Sequence, residues 1–108
     1  MYRIPVDNSP NQEFDCKIPV DGKNIDLHFR LNYNETAGYW VMSLNDNETG
    51  SDLLSSIPLV TGINILGQYS YLGIGSAYLV KIGDSLLDYP NSVSLGNEFS
   101  LLWGDTVG

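Results

Sequence analysis

The chain has 108 residues, 43% of them hydrophobic, and thirteen acidic against five basic side chains give a net charge of −8. That balance excludes nucleic-acid binding, which needs lysine and arginine to displace phosphate counterions, and an anionic membrane surface, which would repel the chain. The length predicts a single β domain over residues 1–108, burying about 65% of its unfolded surface, and the lone cysteine, Cys16, permits no internal disulfide.

In chain order, residues 1–11 read as an extended arm or an edge strand. Pro5 and Pro10 lack the N–H that a central ladder requires. An arm of this kind is free to lie on a neighbouring subunit. The segment reads as carrying no secretory signal, which with the single cysteine fits synthesis in a reducing cytosol.

Residues 12–33 predict a β-hairpin. In its second half Ile25, Leu27, Phe29, Leu31 and Tyr33 fall on one face and Asp26, His28, Arg30 and Asn32 on the other. Phe14, Cys16 and Ile18 point inward in the first half, and Asp21–Gly22 supplies the tight turn. After a turn at N-E-T-A-G, the run Y-W-V-M-S-L puts Trp40, Met42 and Leu44 on a shared inner face, with Tyr39 outward. The polar run 45–51 reads as a turn, and D-L-L-S-S-I-P-L-V follows it. Ala77–Ile82 predicts a strand, residues 83–92 a loop, and Glu98–Trp103 a last strand with Phe99, Leu101 and Trp103 together. Short strands separated by Gly, Asn and Asp turns point to an all-β, antiparallel barrel or sandwich.

The stretch from Ile57 to Gly75 is the most apolar, yet it is not a membrane helix. Pro58, four glycines, Asn64, Gln68 and Ser70 interrupt it. G-I-N-I-L-G at 62–67 has the glycine spacing of a phosphate loop, but Gln68 stands where the phosphate-binding lysine belongs; G-I-G-S-A-Y lacks the third glycine of a dinucleotide fingerprint. Backbone geometry remains as the role of the glycines: a turn at Thr61–Gly62, a bulge or short helical turn at Leu66–Gly67, and at most one helical turn around Ile65–Tyr69.

No catalytic set is legible. His28 is the single histidine and reads as a solvated strand histidine, with Asp26 and Arg30 on its own face able to pair with it. A zinc site needs about four ligands, and Cys16 sits on the apolar face as a small hydrophobe. Asp46, Glu48 and Asp52 superficially resemble a calcium loop but lack its ligand spacing and closing glutamate. Asp84 and Asp88 flank the 83–92 loop with nothing to set them across a cleft. No serine occupies a nucleophile elbow. No enzyme activity, metal or cofactor is therefore expected. The N-x-T sequons at Asn34 and Asn47 fall in turns and matter only in a secreted eukaryotic chain.

Three motifs carry a family resemblance: P-x-D-N-x-P-N-Q near the start, G-Y-W after the hairpin, and V-x-G-x-N-I-L-x-Q-Y-x-Y-L-G at 60–73. With them, the sequence resembles the small baseplate plug proteins of contractile-tailed phages, of the cyanophage type, over nearly its whole length. The resemblance is weakest from Ser85 to Gly108. It implies a non-enzymatic virion protein of the tail baseplate, made in the host bacterial cytoplasm. Such a protein would sit near the central axis and contact baseplate hub and tail tube proteins, without cofactor. A threefold arrangement is an expectation from the cyclic symmetry of tail hubs. Under this reading Pro58, Gly62, Gly67 and Gly73 shape the backbone while Tyr39, Tyr69, Tyr71 and Leu72 form the candidate interface. The alternative is a carbohydrate- or peptide-binding β-domain of the adhesin type, in which exposed tyrosines stack on a ligand.

Overall fold

The computed structural model describes residues 2–9, 11–82, 90, 95–96 and 98–106. The first ladder follows from sequence alternation. Strands β2 (Asn11–Val20) and β3 (Lys23–Asn34) pair antiparallel from Asn11↔Asn32 to Val20↔Lys23. Asp21 and Gly22 close the turn with φ of 54° and 80°, the doubly positive pair that suits the right-handed strand twist. Strand β4 (Tyr39–Asp46) adds to β3, with Tyr33 opposite Trp40 and Phe29 opposite Leu44.

Strand β5 (Asp52–Pro58) completes this four-stranded sheet, in the order β2-β3-β4-β5. Its pairing slips between Met42↔Ile57 and Leu44↔Leu54, so Ser55 and Ser56 together face Ser43. This is a β-bulge. Ser56 takes a positive φ of 53° and donates its N–H to Ser43 Oγ at 3.0 Å.

The second sheet has three strands in the order β1-β7-β6. They are β1 (Tyr2–Ile4), β6 (Ser76–Lys81) and β7 (Phe99–Gly104), all antiparallel to their neighbours. The N-terminal strand thus pairs with its own chain, Tyr2 opposite Trp103. The last two strands begin one residue away from their predicted starts at Ala77 and Glu98. The loop expected over 83–92 lies outside the described residues apart from Pro90, which is buried.

Two antiparallel sheets sharing one core make a sandwich-like fold, and no closed barrel forms among the described residues. After Pro58 the chain leaves the β5 edge. It meets β6 at an isolated parallel bridge, Thr61↔Leu79, instead of a ladder. The inner faces interlock through aromatic rings. Phe14 stacks on Phe29 at 5.0 Å, and Phe29 meets Trp103 of the opposite sheet edge-on at 5.4 Å, a geometry that favours the ring quadrupoles. Trp40, Met42, Leu44, Phe99, Leu101 and Trp103 are fully buried.

Asn64 fixes the crossing between the sheets. Its Oδ1 accepts the N–H of Leu66 and the N–H of Ala77, each at 3.1 Å, while Ile65 N–H donates to Ala77 O at 2.8 Å. Leu66 and Ala77 are both fully buried, so Asn64→Ala leaves two interior donors unpaired. We expect a loss of about 2–4 kcal/mol, read by urea denaturation. Asn64→Asp, which keeps the acceptor, should lose less.

Candidate functional site

The surface that stands out is uncharged. No aspartate, glutamate, lysine, arginine or histidine occurs between Asp52 and Lys81, although the chain as a whole carries −8. On the folded molecule this segment leaves the β5 edge, crosses to β6 and forms a short 3₁₀ helix, Gly67–Leu72. The helix lies two residues later than the helical turn predicted around Ile65–Tyr69. It ends at Gly73, whose φ of 65° lets its N–H donate to Ser70 O at 3.1 Å.

Two shallow hollows adjoin along the segment. One, of about 350 Å³, is lined by Tyr39, Pro58, Leu59 and Val60. The other, of about 190 Å³, is lined by Ile57, Pro58, Val60, Ile63, Ile65 and Gln68. They share Pro58 and Val60, so they form one apolar groove. Ile63 is 57% exposed and Tyr71 is 79% exposed. Single exposed apolar residues are ordinary on soluble proteins, but a contiguous group marks a contact surface.

The four residues named from the sequence are dispersed over this region. Tyr39 borders the first hollow, half-buried at the start of β4. Tyr71 projects from the 3₁₀ helix. Tyr69 and Leu72 are half-buried and pack partly against the core, and Tyr69 Oη accepts a hydrogen bond from Gln68 Nε2 at 3.1 Å. Pro58, Val60, Ile63 and Gln68 were not among the contact residues read from the sequence. The signal that could have found them is the charge-free run itself, with an isoleucine placed between Gly62 and Asn64, where turn residues are normally polar.

The outer face of the four-stranded sheet carries the charged network. His28 bonds across to β2, with Nδ1 2.7 Å from Asp15 Oδ1 and Nε2 3.1 Å from Glu13 Oε1. These partners differ from Asp26 and Arg30, which the sequence alone offered, and they leave the solvated ring of that reading bonded at both nitrogens. Residues two apart on a strand share a face, but the directly opposed pair in the ladder is closer, and the register sets Asp15 opposite His28. Arg30 instead donates from Nε to Glu13 at 3.3 Å, and Asn47 Nδ2 donates to both Asp15 and Asp26 at 2.9 Å.

Both ring nitrogens can donate to carboxylates only when the imidazole is protonated. The bonds to Asp15 and then Glu13 accordingly raise the His28 pKa, and the bonds from His28 lower those of Glu13 and Asp15. A raised histidine value stabilises the fold fully below the unfolded pKa, near 6.5, and the gain is lost as pH rises through the folded value. The lowered carboxylate values act oppositely: their gain is present above the unfolded carboxylate range and lost as pH falls. Hence this network is strongest in mildly acidic solution. The expected NMR titration of His28 has its midpoint above 6.5, moving down in Glu13→Gln; an unchanged midpoint in that variant would refute the pairing. The His28 side chain is 29% exposed, so the effect on overall stability is small.

The Asp46–Asp52 loop turns its oxygens on itself. Asp46 Oδ1 accepts the N–H of Glu48 at 2.9 Å, Asp46 O accepts that of Gly50 at 2.7 Å, and Asn45 Nδ2 bonds Asp52. Among the described residues no group of three or more His, Cys, Asp or Glu side chains is arranged to hold a metal ion. Asp84 and Asp88 lie outside the described residues.

Comparison with known proteins gives one family. The family model described as "Cyanophage baseplate Pam3 plug gp18" matches residues 1–106. No match is found among curated proteins.

Proposed function

The chain belongs to the cyanophage baseplate plug family, and on that premise we propose that it works as a plug component seated near the central axis, against baseplate hub and tail tube proteins. Family membership makes it a structural protein of the phage baseplate; the match over nearly the full length is the observation that carries the reading. Its location is accordingly the virion tail, after synthesis in the host cytoplasm.

The work of such a protein is contact, not turnover, and no catalytic residue is assigned. Tyr39, Tyr69, Tyr71 and Leu72 are the residues proposed to meet a neighbour. Tyr71 is the strongest of them, because an exposed ring with a hydroxyl gives large contact area at little entropic cost. A threefold arrangement follows if the plug adopts the cyclic symmetry of a ring-shaped hub.

Lysine crosslinking of intact tail particles, read by mass spectrometry, tests the proposal. Crosslinks from Lys17, Lys23 or Lys81 to hub or tube proteins are expected. Absence of the chain from purified particles would defeat the baseplate role and turn attention to a carbohydrate- or peptide-binding domain.

A further inference from the structure

We infer that the groove along Pro58, Val60, Ile63 and Gln68, flanked by Tyr39, docks a different protein whose contact face is apolar at its centre and basic around it. This rests on the baseplate reading and specifies the partner's chemistry.

Three observations carry it. First, the groove lies in a segment without a single charge, in a chain with thirteen acids. Interface centres are depleted of charge and enriched in aromatic residues, whereas ordinary protein surface is charged. Second, the groove is concave and Ile63, 57% exposed, is part of its lining, while Tyr71, 79% exposed, follows the lining residue Gln68 in the same 3₁₀ helix. These are side chains that a partner would cover, and covering them gains about 25 cal/mol per Å² of apolar area.

Third, charge selects the occupant. A second copy would bring two bodies of −8 together, and like fields oppose association. An anionic membrane is disfavoured by the same sign. A sugar needs several convergent polar groups, and among the described residues lining the two hollows only Gln68 and Tyr39 carry an amide or hydroxyl. Glu35, exposed in the turn before Tyr39, sets an acidic margin beside the groove. A protein with lysine or arginine around an apolar centre is complementary to both features.

The test places a photo-crosslinking phenylalanine analogue at position 63, 71 or 30 of the full chain, in assembled phage particles. Arg30 belongs to the charged network of β2 and β3, outside the groove lining, and serves as the comparison. Adducts from 63 and 71 to another tail protein, within a segment containing lysine or arginine, are the expected result. Adducts joining two copies of this chain, adducts arising chiefly from position 30, or a captured segment without basic residues would each overturn the inference. In all three cases the chain is still in the particle, so the baseplate reading survives. A particle lacking the wild-type chain would instead defeat that reading and the inference with it.

A substitution supplies the energetic arm. Ile63→Asp is expected to cut incorporation into particles by on the order of 30-fold, the loss of one strong contact residue, with an unchanged melting temperature. Wild-type incorporation of that variant would overturn the docking face.

Discussion

Trp40→Ala is expected to destabilise the protein by about 3–5 kcal/mol, the range for emptying a large aromatic site in a packed core. Trp40 is fully buried on the inner face of β4, and the ring of Tyr33 meets it edge-on at 5.6 Å. Its carbonyl also accepts the N–H of Leu59 at 2.9 Å, where the chain leaves β5. The substitution leaves that backbone bond in place and removes the buried ring. Tyr39, one residue earlier, faces the opposite side and is half-buried. Tyr39→Ala should cost about 1 kcal/mol or less. Chemical denaturation of the two variants gives the ranking directly, and the reverse order would overturn the assignment of faces along β4.

Gly75→Ala should be nearly as damaging, for a different reason. Gly75 has a φ of 101°, a conformation that a side chain strains. A Cβ there would collide with the carbonyl oxygen of Gly104 and sit 2.8 Å from Trp103 Nε1. The preceding residue, Ile74, accepts the Trp103 indole N–H at 2.7 Å. Relief of the clash therefore moves either β7 or the indole off the Ile74 carbonyl. Backbone strain of about 1–3 kcal/mol adds to overpacking of about 1–3 kcal/mol, and thermal melting should show a loss of several kcal/mol. By contrast, Gly62 has a similar φ of 84° but open space around its Cβ position. Gly62→Ala should carry the strain alone. Equal losses in the two variants would mean that close approach at Trp103 contributes nothing.

Much of this architecture was legible because it is local. Alternation placed Leu27, Phe29, Leu31, Trp40, Met42 and Leu44 inside, and all six are buried. The Asp21–Gly22 turn fixed the register of the first hairpin. What was not legible depends on residues far apart in the chain. The terminal W-G-D-T looks nondescript, yet Asp21 N–H donates to Asp105 Oδ1 at 2.9 Å, and Thr106 donates to the Asp21 carboxylate through both its N–H at 2.9 Å and its hydroxyl at 2.7 Å. This clasp ties the hairpin turn to the end of β7, and the Thr106 hydroxyl bond leads in holding the Asp21 pKa down. No periodicity within either segment announces such a contact.

The same limit explains His28 and the candidate interface. Sequence spacing identifies which residues share a strand face, but cross-strand register decides which of them touch. The two tyrosines of Q-Y-S-Y look equivalent in sequence. The 3₁₀ helix separates them, leaving Tyr71 exposed while Tyr69 packs partly on the core, because Tyr69 departs from helical dihedrals at φ −114° and ψ 21°. Likewise the choice between barrel and sandwich turned on how the chain leaves Pro58, which the strand pattern leaves open.

Cryo-electron microscopy of the intact baseplate tests the central claim most directly. The account predicts a two-sheet sandwich near the hub axis, with Ile63 and Tyr71 covered by another tail protein and the Glu13–His28–Asp15 network left outside that contact. A baseplate without this domain, or one in which the uncharged groove faces open solvent while the His28 face is buried against a neighbour, would contradict it.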